Sequence, residues 1–259
     1  MQRPSADLEA LRGATRRFLV SVERLSDDDV HAPSRLPDWN RAQLITHVAR
    51  NADGIRGMVE GATRNEVVAM YPGGMEERAD GIAAGRNERA PILLADVRRA
   101  SDNLAETFGK LPNDAWDRVG MASVQRKMRE LPWVRWREVE MHHLDLDAGY
   151  EASDWPVPFV SGALHEIFAT FPQRRSPQRP RDHRAFRVSV TDHERWWRVA
   201  LDGDDVTVHE NDEGDVDGEA RGWGCDVVAW LYGRDPRGGG IVASGDLDVL
   251  RLPRWFPYA

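Results

Sequence analysis

The segment WVRWREVEMHHLDLDAG, residues 133–149, crowds six ionisable side chains into what reads as one amphipathic helix: Glu138, Glu140, His142, His143, Asp145 and Asp147. Glu138 and His142 are four residues apart, so a helix stacks them on one face, one turn from each other. Val134 shares that face one turn earlier and Asp145 shares it three residues later, whereas Glu140 faces elsewhere and His143 lies near a boundary. A carboxylate and an imidazole at this spacing can chelate one metal ion. A third ligand is on offer in LPDWNRAQLITHVARN, where His47 falls on the same helical face as Leu44, Val48, Asn51, Ile55 and Met58. Two histidines and one carboxylate that leave a position open form the ligand set of a catalytic zinc site. The same residues also have a plainer reading. A lone histidine on an apolar face can be a satisfied core residue, and a Glu and a His four apart can be a surface hydrogen bond.

The elements that must position these groups can be read from periodicity. Ser5 is placed to cap a helix in which Leu8, Leu11, Phe18, Leu19, Val22 and Leu25 recur at three- and four-residue spacing. After a loop containing HAPSRLPDW, Asp38 or Asn40 can cap the helix that carries His47. Residues 71–91 are Gly-rich and read as loop with a short helix near Glu76. A third long helix carries Leu93, Leu94, Val97, Leu104 and Phe108 and stops near Gly109 and Pro112. The fourth is residues 133–149. Four helices of this length favour a bundle, and bundle cores are where inward polar side chains build sites.

Past Tyr150 the pattern changes to one helix near residues 158–171, a basic loop QRRSPQRPRDHR, and short alternating runs AFRVSV, WWRVAL and DVTVHE. LDGDD between the second and third runs is a hairpin signal. GCDVVAWLYGR is apolar at helical spacing. The expected fold class is therefore α+β: a helical bundle over residues 1–150 and a smaller α+β domain over residues 151–259. No internal repeat is present.

Composition narrows the function. Of 259 residues, 41% are hydrophobic and 30% charged, which suits a globular chain able to bury a core. A net charge of −8 argues against broad binding to nucleic acid or an anionic membrane. No run approaches the roughly 20 apolar residues of a spanning helix, and MQRPSADLEALRGATRRFLV lacks the apolar core of a signal peptide. The lone Cys225, read as a core residue beside Val227 and Val228, cannot form an intramolecular disulfide. The expectation is a cytoplasmic protein that acts on small molecules.

LPDWNRAQLITHVARNADGIRGMVEGA, followed about ninety residues later by WVRWREVEMHHLDLDAG, resembles the mycothiol-dependent maleylpyruvate isomerase family, and WLYGRDPRGG and LPRW resemble segments of that family's second domain. The resemblance covers nearly the whole chain. It implies a DinB-like four-helix bundle followed by a sterol-carrier-like α+β domain. It also implies a divalent metal, zinc by family habit, on His47, Glu138 and His142, with mycothiol as the thiol cosubstrate.

By the same resemblance Arg234 is a catalytic residue, and Asn51 and Arg78 are candidates for thiol or substrate binding. The implied reaction converts maleylpyruvate to fumarylpyruvate through reversible thiolate addition to the cis double bond. Glu140, His143 and Asp147 are then solvated or structural. DinB-like relatives also use a metal and a thiol to conjugate other electrophiles, so a mycothiol S-transferase is one alternative. A non-catalytic ligand-binding protein, suggested by RWWRVAL, is another; on bare sequence Arg234 can simply complement a helix dipole. Nothing in the sequence specifies an oligomeric state.

Overall fold

The computed structural model describes residues 3–174, 176–236 and 240–257, so Arg237–Gly239 of the WLYGRDPRGG segment and Arg175 of the basic loop lie outside the described residues. The chain divides into two compact units, Met1–Tyr150 and Glu151–Ala259. It is an α+β protein, helical in the first unit and built on a sheet in the second.

The first unit contains α1 (Ser5–Glu23), α2 (Asp27–His31), α3 (Arg41–Thr63), α4 (Gly74–Ala83), α5 (Ala90–Lys110), a hairpin of β1 (Val119–Met121) and β2 (Gln125–Lys127), and α6 (Leu131–Asp145). The long helices close a ring, α3 packing on α5, α5 on α1, α1 on α6 and α6 on α3, while α4 lies against α3. Their apolar stripes supply the core: Phe18, Leu44, Ile55, Met58, Leu104 and Phe108 are each at most 2% exposed. The short α2 was not evident from the sequence.

Local signals explain where the helices begin. Asn40, rather than Asp38, caps α3: its side chain accepts from the Gln43 amide while the Gln43 side chain accepts from the Asn40 amide. A cap of this kind contributes about 1 kcal/mol. Asp38 instead adopts a left-handed backbone, φ 65°. Ser5 does not cap α1. It is the first helical residue, the preceding Pro4 holds the cap position, and the Ser5 hydroxyl turns back to the Arg3 carbonyl. Pro132 opens α6 with a preset φ and no amide to strand.

The second unit has α7 (Val157–Thr170), β3 (His183–Val190), β4 (Arg195–Asp202), β5 (Asp205–Glu210), β6 (Gly218–Gly222), α8 (Gly224–Leu231), β7 (Val242–Gly245) and α9 (Leu252–Trp255). Its sheet runs β5-β4-β3-β6-β7, antiparallel throughout except for the parallel β3–β6 pair. Phe186, Val188 and Val190 of β3 and Trp197, Val199 and Leu201 of β4 alternate inward, as period two requires. The β4–β5 hairpin turns through Gly203 at φ 59°, where the LDGDD signal placed it.

α7 packs on α8. Gly233, at φ 75°, ends α8: its amide donates to the Trp230 carbonyl and the Arg234 amide to that of Ala229, the paired closure of a Schellman motif. Cys225 is half-buried in the first turn of α8, not in the core as its apolar neighbours suggested. Among the described residues, no helix is long and apolar enough to cross a membrane.

Candidate metal centre

Helix α3 presents His47, and α6 presents Glu138 and His142. The three meet inside the first unit. The His47 Nε2 lies 3.1 Å from the His142 Nε2, and the Glu138 Oε2 is 3.5 Å from the former and 3.4 Å from the latter. Among the described residues this is the group of three whose ligand atoms all lie close enough to hold one ion. A tetrahedral ion with bonds of about 2.0–2.1 Å holds its ligand atoms roughly 3.3–3.4 Å apart, so the observed triangle has the dimensions of one coordination face. His47 is only 4% exposed, and the Trp39 ring packs against it in a T-shaped arrangement with ring centres 5.5 Å apart.

The surroundings fix each ligand. Asp145, fully buried, lies 3.1 Å from the His142 Nδ1. A carboxylate there draws the proton to Nδ1 and leaves the Nε2 lone pair facing the centre, the orientation a metal ligand needs. Burial works against charge on His142, but Asp145 and Glu138 outweigh it and raise its pKa. Glu138 shows the converse. Burial pushes its carboxyl up, yet hydrogen bonds from a protonated His142 and from His47 hold it well below the usual carboxylate range.

Asn51, 5% exposed and one turn beyond His47, donates through Nδ2 to the Glu138 Oε2 at 3.3 Å and accepts on Oδ1 from the Arg135 Nη1 at 2.7 Å. Because a guanidinium only donates, Arg135 fixes which end of the Asn51 amide faces Glu138. Arg135, one turn before Glu138, was not singled out in the sequence. Its spacing of three from Glu138 was the available signal.

Arg78 comes from α4 and donates through Nη2 to the His47 Nδ1 at 3.3 Å. It also lies 5.8 Å over the Tyr71 ring and lines a cavity of about 350 Å³ between α3 and α4. This contact makes Nδ1 an acceptor and leaves the neutral ring's proton on Nε2. Burial, the largest influence, lowers the His47 pKa to about 4. The donor set fits a divalent ion in type and spacing, and seating one requires the His47 proton to leave Nε2 and Arg78 to release Nδ1.

The family described as mycothiol maleylpyruvate isomerase N-terminal domain matches residues 11–147, a span that contains all three converging side chains. The chain belongs to this family. Its fold is that of solved family structures: a mycothiol-dependent maleylpyruvate isomerase superposes with a TM-score of 0.77 at 20% identity, over 95% of this chain and 98% of that chain. A His-to-Ala mutant of a mycothiol-dependent maleylpyruvate isomerase superposes with a TM-score of 0.78, also at 20% identity and with the same coverage. No curated protein matches the chain.

Arg234 sits in the second unit, half-buried after α8, where its Nη1 donates to the Tyr232 carbonyl at 2.8 Å. Glu140 and His143 are buried and structural rather than solvated, at 0% and 1% exposure. Asp147 holds a left-handed turn at φ 55° and pairs with Arg35 at 3.1 Å.

Proposed function

We propose that this member of the family is a thiol-dependent metalloenzyme, with a divalent ion, zinc by its ligand set, held by His47, Glu138 and His142. The observation that carries the proposal is the convergence of two imidazole Nε2 atoms and one carboxylate oxygen at coordination spacing. An ion at this position supplies the positive charge that keeps a bound thiol in its thiolate form near neutral pH. Mycothiol is the thiol that the family points to.

The reaction we assign is the isomerisation of maleylpyruvate to fumarylpyruvate. Sulfur adds to the cis double bond, the resulting single bond turns, and loss of the same sulfur leaves the trans product and regenerated thiol. The protein's own residues would do the following. Asp145 keeps the His142 proton on Nδ1, and Asn51 keeps the Glu138 Oε2 aimed at the centre. Arg78, once it leaves His47, presents a guanidinium suited to a carboxylate of the thiol or substrate. Arg234 is kept as a proposed catalytic cation on the family resemblance alone.

The test combines metal content with product analysis. Metal-replete protein given mycothiol and maleylpyruvate should consume the cis substrate and return free thiol, and His47→Ala should abolish both metal binding and turnover. A stable thioether in place of fumarylpyruvate would assign the protein as a mycothiol S-transferase. Protein that binds no metal and is unchanged by His47→Ala would make it a ligand-binding protein instead.

A further inference from the structure

We infer that the groove between α1 and α5 is a binding site for a small organic anion with an apolar body, and that Arg135 is its cationic floor. This cavity, of about 360 Å³, is distinct from the one lined by Arg78. Its size falls within the range of small-molecule sites rather than extended peptide grooves. Leu8, Leu11 and Phe108 form apolar walls. Four arginines border it, Arg3, Arg12, Arg16 and Arg98, against the carboxylates Glu23 and Asp102. In a chain whose net charge is −8, that local excess of cations is selective.

The floor is the independent observation. Arg135 reaches the groove from α6, is 1% exposed, and spends its Nη1 on the neutral Asn51 amide. Its Nη2 is buried with no hydrogen-bond partner among the described residues. Burial lowers its pKa only to about 10, so the group remains a cation at neutral pH. A buried guanidinium with an open donor costs stability unless a charged acceptor meets it. A carboxylate whose apolar tail lies along Leu8, Leu11 and Phe108 satisfies both the donor and the walls. A phosphate ion would satisfy the donor alone, and an alcohol would satisfy the walls alone.

The experiment uses the full chain and decanoate as the probe, followed by titration calorimetry, with decylamine and decanol as length-matched controls. Decanoate should bind one to one, decylamine should give no saturable binding, and decanol should bind at least about tenfold more weakly than decanoate. Thr15→Trp, which fills the groove from a half-buried position on α1, should weaken decanoate by at least about tenfold. Arg135→Met should erase the preference for decanoate over decanol. Should that variant fail to fold, the Thr15→Trp and decylamine results decide the matter. No saturable decanoate binding, equal binding of decylamine, or a Thr15→Trp protein within about twofold of the parent would overturn the assignment.

Discussion

Helix α6 carries two acid–histidine sets, and both are directed into the protein. Glu140 and His143 face α1. Glu140 accepts from the Arg17 Nη2 at 2.6 Å, the Trp136 Nε1 at 2.9 Å and the Tyr150 hydroxyl at 2.6 Å. His143 bonds to the Ser21 hydroxyl at 2.7 Å and stacks on Tyr150, with ring centres 3.7 Å apart. Glu138 and His142 face α3, where the atoms that meet are lone-pair bearers: two imidazole nitrogens and a carboxylate oxygen. Burial is common to both sets and separates nothing. The separation lies in what is met: donors matched to acceptors make a strut, whereas ligand atoms gathered around one point make a cation site once the His47 proton leaves Nε2.

The largest effect should come from removing a converging ligand. Changes to the partners of ligands typically cost about 10–100-fold in metal affinity, and loss of a ligand itself should exceed that range. His142→Ala should therefore bind zinc more than about 100-fold more weakly, as read by competition with a chromogenic chelator. The metal-free form should lose about 1–3 kcal/mol, because the buried Asp145 carboxylate loses its His142 Nδ1 partner, and that is less than the Glu140 network on the other face should cost. A large loss of metal-free stability would show that the α3–α6 set is a strut like its neighbour.

Glu140→Ala should do the reverse. It strands the Trp136 and Tyr150 donors and the Arg17 cation, and breaking a buried charged network costs about 3–5 kcal/mol. Urea unfolding should show that loss while zinc affinity per folded molecule stays within about threefold. Weakened metal binding would mean that the two faces of α6 are coupled.

Part of this contrast is legible in the sequence. The four-residue spacing of Glu138 and His142 and the apolar neighbours of His47 already put three ligands on inward faces. The inward direction of Glu140 and His143 is not legible, because α6 is buried on several sides: its own Trp136, Val139, Met141 and Leu144 are all buried as well. A helix without a solvated face gives facing arguments nothing to work against. The partners Arg17 and Ser21 lie more than 120 residues away, and one sequence does not report such pairings.

The fold shows the same limit. β3, β4 and β5 alternate and were visible. β6, GEARG, carries glycines where hydrophobic residues would be expected, and Gly218 is dictated by the close approach of the Asp246 carbonyl, 2.2 Å from where a Cβ would stand.

A smaller effect sharpens the comparison through pH. Burial, and then the Arg17 charge, lower the His143 pKa to about 3 from the ordinary 6.5. The groups that face it are Phe18, Ser21 and Arg17 from α1, with Tyr150 and Glu140 beyond. A base whose folded pKa is depressed gives stability that is complete above 6.5 and is lost as pH falls, because the unfolded chain takes the proton first. In metal-free protein His47, at about 4, acts in the same sense, whereas His142, its pKa raised, is protonated in both states below 6.5. Between pH 6 and pH 5 the two histidines together should cost about 2.4 kcal/mol, and His143→Phe should halve that loss.

The smallest expected effect has the least intuitive sign. Groups around a metal ligand usually support it, so their removal weakens binding. Arg78 is placed to do the opposite. Its Nη2 donates to the His47 Nδ1, which holds the ring proton on the nitrogen that faces His142 and Glu138, and it brings a positive charge near the point where a cation would sit. Arg78→Met removes both oppositions. Zinc affinity should rise by roughly three- to tenfold, consistent with relief of a screened like-charge contact of about 1 kcal/mol. Thiol-dependent turnover should nevertheless fall if the released guanidinium grips a carboxylate. Zinc affinity that falls instead would make Arg78 a support for the His47 ring, and the strained contact would then belong with the struts on the other face of the bundle.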